Sequence, residues 1–189
     1  MGKKTVAMDM TQGSITRQLI SYSVPLILGN LFQLTYNAVD SIIAGRFIGK
    51  EALAAEGMAS PVMNLVILGI SGICMGAGVL MSEFFGAKHL EKLKREMSTA
   101  VLFGLYFSLA VTGMGIIFTP ALLRLLHVPE ELMKMTAVYL RIIFIGAPFT
   151  YFYNAVSAAL KSVGDSKTPL KFLAFSSILN AVLDLIFIG

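Results

Sequence analysis

Residues 61–85 run PVMNLVILGISGICMGAGVLMSEFF, and the one charge among these 25 residues, Glu83, falls near their end. The hydrocarbon core of a bilayer is about 30 Å thick and takes roughly 20 helical residues to cross. This stretch is long enough to span it as a helix. A membrane-spanning strand would be shorter, about 10 residues, and would alternate polar with apolar. The stretch does neither.

Four more segments share this character, at about 19–45, 97–123, 137–160 and 170–189, with short polar connections between them. The whole chain of 189 residues is 56% hydrophobic and 14% charged. Soluble domains carry about 25% charged residues, and a mean hydropathy of +0.78 is too high for a water-soluble fold of this size. The expected fold is therefore an all-α membrane protein with about five transmembrane helices, preceded by a cytoplasmic segment over residues 1–18. That segment is not a cleavable signal, because the apolar run after it is too long for a signal core. The net charge of +4 lies between apolar runs. It points to the lipid bilayer as partner, and not to nucleic acid. The single Cys74 makes no intrachain disulfide and has no metal ligands near it in sequence. It reads as a small buried hydrophobe.

Basic residues set an orientation, since cytoplasmic loops are enriched in Lys and Arg. Ten lie on the N-terminal side of the spans: Lys3, Lys4, Arg17, Lys88, Lys92, Lys94, Arg95, Lys161, Lys167 and Lys171. Four lie on the other side: Arg46, Lys50, Arg124 and Lys134. The N-terminus is expected in the cytoplasm of a multi-pass protein of the inner or plasma membrane. Pro25 and Pro148 fall inside spans, where neighbouring helices must satisfy the backbone groups they free. Gly72 and Gly76 form a GxxxG spacing expected to let helices approach closely.

Of eleven acidic residues, nine read as loop or span-end residues, and Asp40 and Asp184 fall inside spans. A carboxylate in hydrocarbon costs at least a few kcal/mol and marks a functional path. By helical rise Asp40 lies ~31 Å from Leu19 and Asp184 ~21 Å from Leu170, which places both in the outer half of the membrane. Asn30, Gln33, Asn37 and Asp40 share one helix face, and so do Ser176, Asn180 and Asp184. Two polar stripes on apolar helices imply a wet cavity, with Tyr139 and Asn154 as further lining. Two buried carboxylates held close together resist carrying two charges, so the pair can take up a proton. With the oxygen of Asn180 they could instead hold a sodium ion. No cofactor beyond such a coupling ion, H+ or Na+, is implied, and no enzymatic chemistry. An intramembrane aspartyl protease also needs two carboxylates, but its Tyr-Asp and Gly-x-Gly-Asp settings are absent.

The stretch from Val39-Asp40-Ser41 through Gly45-Arg46, with Ala52-Leu53-Ala54-Ala55 after it, resembles the first-span signature of the multidrug and toxic compound extrusion (MATE) family. Gly86-Ala87-Lys88 resembles that family's second-to-third-span loop. Ala159 through Pro169, with Gly164-Asp165 inside it, resembles the fourth-to-fifth-span loop, and Asn180 and Asp184 match the family's fifth-span pair. The resemblance implies an incomplete six-helix N-terminal lobe of a cation-coupled antiporter that exports small organic cations and amphipathic drugs. It implies a cation site at Asp40, Asn180 and Asp184. It also implies dependence on a sixth span and a C-terminal lobe beyond this sequence. Two alternatives stand beside it: a non-transporting fragment or scaffold, and a lipid-linked oligosaccharide flippase. A flippase would line its cavity with several arginines, and only Arg141 is available. Asp165 reads as a helix cap or turn residue.

Overall fold

The computed structural model describes residues 14–187. Five helices make up nearly all of it: α1 (Ile15–Ile43), α2 (Lys50–Gly86), α3 (Leu90–Leu125), α4 (Glu130–Ser162) and α5 (Lys167–Phe187). A π-helical turn, Ala44–Ile48, leads from α1 to Gly49, where the backbone breaks with φ 118°. Residues 1–13 of the expected cytoplasmic segment, and the last two residues of the expected fifth span, lie outside the described residues.

The helices begin before the apolar runs and α2 does so most. Its start at Lys50 overturns the expectation of a loop up to Pro61. Lys50-Glu51-Ala52-Leu53-Ala54-Ala55-Glu56 consists of strong helix formers, and Glu51 in the first turn suits the helix dipole. Hydropathy marks where lipid begins, not where a helix begins. With 37 residues, α2 is about 55 Å long and overruns the hydrocarbon core.

Three connections share one solution. Each helix α2, α3 and α4 ends with a residue in the left-handed region: Lys88, His127 and Gly164. In each case the next residue's N–H reaches back to the third carbonyl from the helix end, as in His89 to Phe84 (2.8 Å), Val128 to Leu123 (3.1 Å) and Asp165 to Leu160 (3.0 Å). This is the Schellman closure, which caps carbonyls the helix leaves free. Asp165 then starts α5. Its Oδ1 accepts from the N–H groups of Lys167 (3.1 Å) and Thr168 (3.0 Å), the capping role read from its loop.

α2, α3 and α4 pack on one another, and α1 pairs with α5. Among the described residues α2, α3 and α4 are long and apolar enough to cross a membrane. α1 and α5 carry the polar stripes. Leu65, Leu68, Ile117 and Phe149 are more than two-thirds exposed on the outside, as lipid contact requires. Between α3 and α4 the approach is close at Gly104 and Gly115, where a methyl group would overlap the rings of Tyr151 and Phe144. The GxxxG expectation is corrected here: Gly72 and Gly76 meet no neighbouring atom. A small residue brings helices together only where a neighbouring helix lies opposite it, as Ala158 does at Gly78. Cys74 is 4% exposed in a core cluster with Ile70, Ala147, Tyr151 and Ala155, the buried hydrophobe that its apolar surroundings imply.

Pro148 has no N–H, so the carbonyl of Phe144 one turn earlier loses its helical donor. Thr112 of α3 supplies one, its Oγ1 donating to that carbonyl at 2.7 Å. The neighbouring helix thus repairs the backbone, and the kink-forming residue becomes an interhelical tie.

Candidate functional site

The pairing of α1 with α5 brings Asp40 and Asp184 close enough for each carboxyl to feel the other's charge. The arrangement follows from the stripes: Asp40 is on the face α1 turns to α5, and Asn180 and Asp184 are one turn apart on α5. Oδ1 of Asn180 and Oδ2 of Asp184 are buried oxygens without a hydrogen-bond partner. Two unsatisfied acceptors on one face amount to an unfilled demand for a donor or a cation.

A third carboxylate belongs to the same place. Glu56 of α2 is half-buried beside Asp40, and its Oε1 accepts a hydrogen bond from Ser41 at 3.1 Å. Sequence reasoning missed it because it put Glu56 in a loop. The signal was the run of helix formers from Lys50, which places Glu56 on a helix face one turn from Ala52 and Ala59. Tyr36 and Tyr139 also lie close to Asp40. Asp40, Glu56 and Tyr139 line a pocket of about 680 Å³ at the C-terminal end of α1 and the N-terminal ends of α2 and α4, with Glu131 and Lys134 among its lining. Among the described residues no three His, Cys, Asp or Glu side chains converge tightly enough to hold a metal ion. A sodium ion at the Asp pair would need further oxygens, and Asn180 offers one.

The cavity expected between the stripes is not what the α1 stripe faces: its two cavities are walled by α2 and α4, and no α5 residue lines either. Gln33 and Asn154, with Asn30, line a second cavity of about 500 Å³ toward the other end of the bundle, beside Ser71, Cys74 and Lys161. Asn37 is exposed and lines neither. The α1 stripe spans nearly three turns, about 15 Å. Its two ends therefore face different spaces.

Carboxylates kept within an apolar bundle are costly unless something uses them, and helices long and apolar enough to cross a membrane mark the chain as a multi-pass membrane protein. Comparison with known proteins narrows that class. The MatE family matches residues 25–186, and the chain belongs to it. The chain is 35% identical over 183 residues to the "Probable multidrug resistance protein YpnP" of Bacillus subtilis strain 168, covering 97% of this chain and 41% of that protein. It is 34% identical over 185 residues to YoeA of the same strain, also a "Probable multidrug resistance protein", over 97% of this chain and 40% of that protein. The structure of a multidrug resistance MATE family transporter of the MOP superfamily, in an outward-facing conformation, superposes with a TM-score of 0.89 at 26% identity. It matches over 99% of this chain and 41% of that chain. The chain thus spans about two-fifths of the length of the relatives it matches.

Proposed function

We propose that this chain supplies the coupling-ion site of a cation-driven antiporter that exports amphipathic organic cations across the cell membrane. Asp40 and Asp184 are the ion-binding pair, and Asn180 is an oxygen donor beside them. The observation that carries this is the meeting of the two intramembrane carboxyls, with the unpartnered oxygens of Asn180 and Asp184 next to them.

The physics of coupling follows from that contact. Two adjacent carboxylates in low dielectric repel, and a proton or sodium ion between them removes the repulsion. The ion then draws α1 and α5 together, and its loss lets them part. A drug that favours the parted arrangement is driven out whenever the ion returns, because each ligand biases one shared equilibrium. The second cavity, with Gln33, Asn154 and Asn30, offers polar groups for such a drug. A part in resistance to multiple drugs is what the names of the relatives YpnP and YoeA suggest.

The test is substitution at the native locus. Asp40→Asn and Asp184→Asn should each abolish drug resistance at normal expression, and efflux should follow an imposed sodium or proton gradient only in the unsubstituted protein. Normal resistance in both variants would overturn the assignment.

A further inference from the structure

The two cavities that α1 faces differ in the sign of their charge. The charged lining of the pocket of about 680 Å³ is Asp40, Glu56 and Glu131 against Lys134. The cavity of about 500 Å³ toward the other end of the bundle is opposite: Lys161 is the one charged residue among the described residues that line it. A cleft lined by negative charge concentrates cations, and a positive one depletes them. Of the two spaces, the first is therefore the one from which a cation reaches Asp40.

That route does not open on the Asp pair directly. Asp40 lines the pocket, while Asn180 and Asp184 do not. Glu56 lines it from α2, and Ser41, which follows Asp40 in α1, donates to Glu56 Oε1 at 3.1 Å. This hydrogen bond ties the Glu56 carboxylate to the turn of α1 that carries Asp40. The electrostatics order the groups in the same way. Tyr139 of α4, also in the pocket lining, feels Glu56 ahead of Asp40, whereas Asp40 feels Asp184 ahead of Glu56. Tyr36 of α1 lies beside all three carboxyls. Asp40 is thus the middle one, with Glu56 on its pocket side and Asp184 on its α5 side.

We propose that Glu56 is the entry ligand of the coupling ion. The ion is held first by Glu56 and Asp40 at the pocket wall, and passes from there to Asp40 and Asp184. Asp40 is a ligand at both stages. Each stage keeps two carboxylates on the ion, so the cost of taking it out of water is met step by step and not all at once. A proton follows the same path from carboxylate to carboxylate. The inference rests on the Asp40–Asp184 pair being the coupling-ion site, and adds the route into it.

The transporter expressed from the native locus and reconstituted in proteoliposomes tests the route. Drug efflux is measured against the concentration of sodium or protons supplied at either face. Glu56→Gln keeps an acceptor for Ser41 and removes the charge. It should raise the half-saturating concentration about five-fold for ions supplied at the pocket face, and leave the value at the opposite face unchanged. Glu56→Asp should bring the value back toward that of the unsubstituted protein. Ser41→Ala removes the hydrogen bond and leaves the charge, so it should move the value little. An equal rise at both faces would make Glu56 a general contributor to ion affinity and overturn the route. So would no change at either face, or a Ser41→Ala effect as large as that of Glu56→Gln. Asp40→Asn separates this proposal from the reading beneath it. Efflux that still follows the ion gradient in that variant would remove the ion pair itself. Coupling lost there, beside an unchanged Glu56→Gln protein, would remove the entry step alone.

Discussion

At the scale of single residues the chemistry is concentrated in three carboxylates, and their environments separate their roles. Asp40 and Asp184 meet across two helices. Glu56 is held to one side by Ser41 and shares a pocket with Asp40. In the proposed ion site its negative charge would strengthen cation binding without belonging to the pair, and for a half-buried, water-screened carboxylate such a contribution is about 1 kcal/mol. Glu56→Gln should therefore leave transport in place but raise the sodium concentration, or lower the pH, needed for half-maximal efflux by about five-fold. An unchanged dose–response curve would make Glu56 a mere packing residue for Ser41. The contrast with Asp40→Asn, which should abolish transport, separates tuning from binding.

At the scale of elements, what the sequence reveals depends on whether a signal is local. Asp40 and Asp184 were legible because a charge inside an apolar run has few interpretations, and the shared face of Asn180 and Asp184 follows from helical spacing alone. Asp165 was legible as a cap because Gly-Asp before a helix is local chemistry. The start of α2 was not, because the amphipathic turns outside the hydrocarbon read as loop on hydropathy. With it went Glu56. Nor were the useful glycines legible: Gly104 and Gly115 differ from Gly72 and Gly76 only in what the partner helix puts opposite them. The tie between Thr112 and Phe144 is of the same kind. It yields a prediction that isolates its cause. Thr112→Val keeps the volume and removes the donor, leaving a buried carbonyl unpaired, and should cost about 1–2 kcal/mol in thermal unfolding in detergent. With Pro148→Ala also present, residue 148 regains its N–H and the helix satisfies the carbonyl itself, so the same Thr112→Val change should cost little. An equal loss in both backgrounds would show that the threonine acts through packing.

At the scale of the whole molecule, the alternation of helices turns the charge count into a statement about space. The Ala87–His89 connection and the Val163–Ser166 connection fall at one end of the bundle with the start of α1. The Gly49 break and the connection at His127 fall at the other. Lys88, Lys92, Lys94, Arg95, Lys161, Lys167 and Lys171 all cluster near the first end. Basic residues in short loops resist translocation, so this end should stay in the cytoplasm and the pocket with Asp40 and Glu56 should open outward. His89 and His127 report the two ends well, since both are exposed. In a chain carrying Cys74→Ala, His127→Cys should react with a membrane-impermeant maleimide in intact cells, whereas His89→Cys should react only after the cells are permeabilised. The reverse pattern would invert the bundle, placing the pocket of Asp40 and Glu56 on the cytoplasmic side. Either pattern fixes the direction from which the coupling ion must reach Asp40. The expected one has it arriving from outside, down the gradient that such an exporter would use.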